Sequence, residues 1–109
     1  MNPLEISASQ VKEKLDRGEK LHLIDVREPS EFAVAKISGG ELVPMRTVAA
    51  SLAQLQERAS DAPLVVYCHH GVRSMNVVQW LRTQGVDAQS LSGGIDAWSR
   101  EIDPNVPRY

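Results

Sequence analysis

Apolar residues along the chain fall into short continuous runs separated by segments with helical spacing. The strongest run is residues 62–68, and residues 21–26 form a similar run whose end is rich in charge. Short apolar runs of this kind are typical of strands buried on both faces of a sheet. With two weaker extended segments added, the sequence predicts strands at residues 21–26, 41–45, 62–68 and 85–91.

Between these runs, apolar residues recur at intervals of three and four, as Val48, Leu52 and Leu55 do, which is the spacing of an amphipathic helix. The predicted helices are residues 8–17, a turn or two within residues 29–35, and residues 47–59, 74–84 and 95–101. Strands that alternate with helices pair in parallel through right-handed crossovers. The predicted fold is therefore α/β, an open, mainly parallel sheet of about five strands flanked on both faces by helices.

Length, charge and hydropathy narrow the class of protein. A chain of 109 residues is the size of one domain, so we expect residues 1–109 to form a single unit. The net charge of -2 and the scattered Lys and Arg residues predict no nucleic-acid partner. The apolar runs are far shorter than the roughly 20 residues that span a bilayer, so we expect no membrane partner. The N-terminus lacks a secretory signal pattern, which favours a cytoplasmic location.

Cys68 is the only cysteine, so it can form no disulfide within the chain. It lies where a predicted strand ends and a helix begins, a junction at which backbone N–H groups can turn toward the sulfur and stabilise an anion. Gly71 permits a tight turn, Arg73 offers a planar fork suited to oxyanions, and Ser74 can cap the helix or donate to the sulfur. The loop predicts a sulfur nucleophile with an anionic substrate. The alternative is a buried, inert cysteine.

His69 and His70 follow the cysteine and raise the question of a zinc site. Three consecutive side chains cannot easily converge on one tetrahedral ion, and His22 lies in a predicted strand, so we expect no metal. The two histidines are expected instead to tune access and charge at the mouth of the loop, which also contains Val72.

Asp25 and Arg27 come at the carboxyl end of the first predicted strand. Sites in open α/β sheets form beyond the carboxyl ends of the strands, so we expect these two residues to support the site. The alternative is an ordinary exposed charge cluster that includes Glu28.

Three segments together resemble the single-domain rhodanese sulfurtransferases, and the resemblance covers nearly the whole chain. They are Asp-Val-Arg-Glu at residues 25–28 with Glu-Phe at 31–32, Cys-x-x-Gly-x-Arg-Ser at 68–74, and Gly-Gly-Ile-Asp-Ala-Trp at 93–98. The resemblance implies a rhodanese-like fold in which Cys68 carries persulfide sulfur and Arg73 binds the anion. It also implies that Asp25 and Arg27 buttress the site.

The resemblance further implies the reaction, in which sulfane sulfur moves from thiosulfate or a persulfide donor to a thiophilic acceptor without any cofactor. A persulfide-bearing or sulfur-carrier protein is a further partner that it implies. Four residues separate Cys68 from Arg73, which matches the sulfurtransferase loop, whereas phosphatase loops on this fold have one residue more. The weaker alternatives are a non-catalytic rhodanese-fold binding module and a phosphatase or arsenate reductase.

The chain departs from the family pattern at one place. Members commonly have Gly-His where this sequence has Ala35-Lys36. The usual His is structural, so the departure concerns local packing, and Lys36 is expected either in solvent or near the mouth of the site.

Overall fold

The computed structural model describes residues 2–109 and is built around one sheet. Its strands are β1 (Glu5–Ile6), β2 (His22–Asp25), β3 (Glu41–Leu42), β4 (Leu64–Tyr67) and β5 (Ala88–Leu91). They are ordered β1-β5-β4-β2-β3, and all neighbouring pairs are parallel. The predicted α/β fold with an open parallel sheet is confirmed.

Five α-helices among the described residues cover the two faces of this sheet: α1 (Ala8–Asp16), α2 (Pro29–Val34), α3 (Leu52–Asp61), α4 (Val72–Thr83) and α5 (Gly94–Glu101). Leu55 of α3 and Val78 of α4 pack in one apolar cluster with Val66. Val11 of α1 and Trp98 of α5 pack in another. Residues 2–109 contain no helix that is both long and apolar enough to cross a membrane.

The strand β1 was not predicted from the sequence. It has two residues, too few to show a periodicity, and it exists because it pairs with β5. The backbone amide of Ser90 donates to the Leu4 carbonyl at 2.7 Å, and that of Ser92 donates to the Ile6 carbonyl at 2.9 Å. A non-local ladder of this kind has no signature in the segment itself.

Two predicted helix starts were also wrong. Residues 45–47 form a short 3₁₀ helix, and α3 begins only at Leu52 rather than at residue 47. Val48 and Leu55 are both buried, so the apolar spacing correctly marked residues that face the core without showing that one helix joins them. The helix α4 begins at Val72 rather than at residue 74, because Gly71 caps it in the left-handed conformation.

The sheet order brings the sequence-predicted residues to one edge. The strand β4 lies between β2 and β5, and all three run in the same direction. Asp25 ends β2, and Cys68 directly follows β4. The segments that follow the three strands therefore lie side by side, as expected for a site at the carboxyl edge of a parallel sheet.

Candidate active site

Cys68 is 1 % exposed, and its sulfur is surrounded by hydrogen-bond donors. The Sγ atom accepts from the backbone N–H of Gly71 at 3.1 Å and from that of Ser74 at 3.4 Å. The Ser74 hydroxyl lies 3.4 Å from the same sulfur. These donors lie at the N-terminus of α4, where the helix dipole also favours negative charge. The cysteine is buried, as an inert residue would be, but its surroundings suit an anionic sulfur.

Gly71 and Gly94 give the cysteine loop its shape. Gly71 has a φ of +108°, which lets the chain turn its N–H back toward the sulfur. The start of α5 closes against the loop, where the Ile95 amide donates to the Cys68 carbonyl at 2.9 Å. A Cβ at Gly94 would lie 2.5 Å from that carbonyl oxygen, so this close approach requires glycine.

Arg73 forms a two-pronged ion pair with Glu31, which lies on α2. Its two terminal nitrogens donate to the Glu31 carboxylate at 2.7 and 3.0 Å. This hydrogen bonding from Arg73 lowers the pKa of Glu31 to about 2. The Arg73 guanidinium, which the sequence predicted to bind an anionic substrate, therefore faces a carboxylate of the protein. Glu31 was quoted in the sequence motif, but its contact with the cysteine loop was not predicted.

Asp25 and Arg27 form a fully buried ion pair beside the site. The Nε atom of Arg27 donates to Asp25 at 2.9 Å, and its Nη2 atom donates to the same carboxylate at 2.6 Å. Nη2 also donates to the carbonyl of Ala35 at 2.6 Å. Both residues are 0 % exposed, so the alternative of an exposed charge cluster is wrong for them, although Glu28 is exposed.

Tyr109 joins these two ion pairs, although the sequence assigned it no role in the site. Arg27 Nη1 donates to the Tyr109 hydroxyl at 2.7 Å, and that hydroxyl donates to Glu31 at 2.8 Å. The Tyr109 ring stacks on His69 with centroids 4.0 Å apart. The contacts run continuously from Arg27 through Tyr109 and Glu31 to Arg73.

His69 and His70 lie next to each other and near Asp96. The two rings stack at 3.9 Å, and His70 is exposed. Burial, followed by the charge of His70, lowers the pKa of His69. One ligand atom from each of the three residues lies within 4.8 Å of the others. Asp96 is already paired with two arginines, at 2.9 and 3.2 Å, so its charge is balanced within the protein.

The side chains of Val72, Lys36 and Ser90 differ in their exposure to solvent. Val72 is 72 % exposed, so this part of the predicted loop faces solvent. Lys36 is exposed, and its ammonium lies 5.0 Å from the centroid of the Phe32 ring. Ser90, which the sequence did not single out, is fully buried with its hydroxyl 2.8 Å from that of Ser74. It therefore supports a side chain that touches the sulfur.

Comparison with known proteins identifies the family. The model of the rhodanese-like domain matches residues 7–101. The adenylyltransferase and sulfurtransferase MOCS3-1 of Zea mays is 36% identical over 95% of this chain, which spans only 23% of that protein. The thiosulfate sulfurtransferase GlpE of Pseudomonas aeruginosa is 36% identical, with 91% of this chain and 86% of that protein aligned.

Among solved structures, a rhodanese-like domain protein from Staphylococcus aureus has a TM-score of 0.82 and 29% sequence identity to this chain. The match covers 98% of this chain and 99% of that one. Fold, family model and sequence identity agree over almost the same residues. The chain therefore belongs to the rhodanese-like domain family.

Proposed function

We propose that this protein is a sulfurtransferase in which Cys68 carries sulfane sulfur as a persulfide. The observation that carries the proposal is the set of donors around the Cys68 sulfur, two backbone amides and one hydroxyl at 3.1 to 3.4 Å. Donors held in place by the fold stabilise an anionic sulfur without reorganising during the reaction. The relative GlpE is a thiosulfate sulfurtransferase, which supports the same chemistry here.

In the first step, the Cys68 thiolate attacks the outer sulfur of thiosulfate. A new S–S bond forms to that sulfur, the original S–S bond breaks, and sulfite leaves with the bonding electron pair. The terminal persulfide sulfur carries the negative charge. Because the donor groups of Gly71 and Ser74 already point toward the cysteine, they lie beside the developing charge.

In the second step, a nucleophile attacks the terminal sulfur of the persulfide. The S–S bond breaks, and the electron pair returns to Cys68 as thiolate, so no external oxidant or reductant is consumed. Cyanide gives thiocyanate in this step, and a thiol gives a new persulfide. A sulfur-carrier protein is a further proposed acceptor, because relatives such as MOCS3-1 join adenylyltransferase and sulfurtransferase in one protein.

Arg73 and Glu31 set the charge around the cysteine loop. Their ion pair is partly exposed, with 35% of the Arg73 side chain and 20% of the Glu31 side chain accessible. Without Arg73, the Glu31 carboxylate would lose its ion-pair partner, and its negative charge would repel an anionic donor. The proposed role of Arg73 is therefore to neutralise the site toward thiosulfate, more than to grip it with both nitrogens.

The test is transfer of sulfur from thiosulfate to cyanide by the purified protein, followed as thiocyanate. We expect turnover with ping-pong kinetics, complete loss of turnover in Cys68→Ser, and one added sulfur on Cys68 by mass spectrometry after thiosulfate alone. Arg73→Ala should raise the KM for thiosulfate. Arg58→Ala is its matched control, because Arg58 of α3 forms a similar ion pair with Glu41 of β3, an edge strand that β2 separates from β4.

Absence of both thiocyanate and added sulfur in the wild-type protein would refute the proposal. That result would favour a binding module, in which the fold recruits a partner. Hydrolysis of a phosphate ester that depends on Cys68 would instead favour the phosphatase alternative.

A further inference from the structure

The segment after α5 returns to the cysteine loop and is anchored there by side chains and backbone. Val106 is 8% exposed, and its carbonyl accepts a hydrogen bond from the buried Ser99 hydroxyl at 2.6 Å. Arg108 pairs with Asp96 at 3.2 Å. These contacts place Tyr109 over His69 and between Arg27 and Glu31.

The direction of the Tyr109 hydrogen bonds follows from the chemistry of its partners. An arginine side chain only donates, and an ionised carboxylate only accepts. The Tyr109 hydroxyl must therefore accept from Arg27, at 2.7 Å, and commit its proton to Glu31, at 2.8 Å. Burial raises the pKa of Tyr109 above its ordinary value, which agrees with a neutral hydroxyl.

Three side-chain groups donate to the Glu31 carboxylate: the Tyr109 hydroxyl and the two terminal nitrogens of Arg73. Each donor offsets part of the negative charge that Glu31 presents near the cysteine loop. Without the hydroxyl, less of the negative charge of Glu31 would be offset. The Glu31 carboxylate would also lose one of the contacts that hold it in position to bind Arg73. Both changes make the approach to the Cys68 sulfur more repulsive to an anion.

We propose that Tyr109 is a positioning residue of the active site that sets its selectivity for anionic reagents by screening Glu31 and holding the Glu31–Arg73 pair in place. Tyr109 acts through these two residues and does not touch the sulfur. The inference rests on the proposed function only in taking Cys68 as the nucleophile. A purely structural role of the segment would change stability without changing charge selectivity.

The test compares how fast Cys68 is alkylated by iodoacetate, an anion, and by iodoacetamide, its neutral counterpart. The ratio of the two rate constants reports the electrostatic potential at the sulfur, because thiolate formation and general access affect both reagents alike. In Tyr109→Phe, which keeps the ring stacked on His69, we expect the ratio of iodoacetate to iodoacetamide rates to fall by about threefold at low ionic strength. The difference should shrink as salt is added.

Two variants and one control make the result specific. Glu31→Gln removes the charge that Tyr109 screens, so it should raise the ratio, and adding Tyr109→Phe to it should then have little further effect. Tyr67→Phe is the matched control, because it makes the same chemical change at the other tyrosine. The Tyr67 hydroxyl makes no hydrogen bond to Glu31 or Arg73, so its loss should leave the ratio unchanged.

An unchanged ratio in Tyr109→Phe would overturn the inference, as would an equal fall of the ratio in the Glu31→Gln background. Thermal unfolding confirms that each variant is folded, and Tyr109 is 43% exposed, so its substitution by Phe leaves no buried cavity. The assay requires no sulfur transfer. Wild-type protein that made no thiocyanate would refute the proposed function while the alkylation ratios still decided the role of Tyr109.

Discussion

Replacement of Glu31 by Gln tests how much the ion pair with Arg73 stabilises the fold and at which pH it does so. Arg73 hydrogen bonding lowers the pKa of Glu31 from an ordinary 4.5 to about 2. A carboxyl group whose pKa is lower in the folded protein adds stability above its ordinary pKa. That stability is lost as the pH falls toward the pKa of the folded protein. The contribution of Glu31 should therefore be complete at pH 7 and disappear between about pH 5 and pH 2.

The size of the contribution follows from the same values. At about 1.4 kcal/mol for each unit by which the pKa is lowered, the ion pair would contribute about 3 kcal/mol to the free energy of unfolding. The Arg73 side chain is 35% exposed, so solvent screens the pair and most of this value is not realised. We expect Glu31→Gln to lower the free energy of unfolding at pH 7 by about 1 kcal/mol.

Urea unfolding of the wild-type and Glu31→Gln proteins at several pH values measures this difference. The two curves of stability against pH should be separated at pH 7 and should converge as the pH falls toward 2. Glu41→Gln, which breaks the exposed pair with Arg58, should follow the wild-type curve. A separation between wild type and Glu31→Gln that stayed constant down to pH 2 would show that ionisation of Glu31 is not its cause.

Two further substitutions test the buried parts of the site. Gly94→Ala should abolish sulfur transfer, and in thermal unfolding it should destabilise the fold more than Gly39→Ala does. Both glycines have positive φ, but only at Gly94 would a Cβ meet the Cys68 carbonyl oxygen, at 2.5 Å. Equal effects would mean that the close approach is unimportant. Arg27→Met should lower the free energy of unfolding, measured in urea, by about 3 to 5 kcal/mol, because it leaves the Asp25 carboxylate buried and unpaired. A loss of about 0.5 kcal/mol or less, as for a surface substitution, would contradict this account of the pair.

The sequence by itself determined the class of fold and the position of the cysteine that we propose as the nucleophile. The apolar runs that became β2 and β4 are local features, and so is the change to helical spacing after each of them. The position of Cys68 after a buried strand and the turn at Gly71 could be predicted, because both depend only on residues that are close in the chain. The cysteine loop was therefore predictable without knowing what packs against it.

Only the tertiary structure decided which partners surround that loop. Glu31 and Arg73 are 42 residues apart in sequence, and Glu31 and Tyr109 are 78 apart. Contacts of this kind depend on the sheet order, which places the segment after β2 beside the one after β4. The same reason explains why β1 was missed, since its two residues are a strand only through their hydrogen bonds to β5.

The role expected of Arg73 shows the physical limit of the sequence most clearly. Its guanidinium was predicted to face an anion, because a planar fork with a fixed charge suits one. Residue type and spacing specify that chemistry, but they cannot say whether the anion is a substrate or a carboxylate of the protein. The fold brings the Glu31 carboxylate of α2 to within 2.7 Å of an Arg73 nitrogen of α4, and that contact sets the charge beside the cysteine loop.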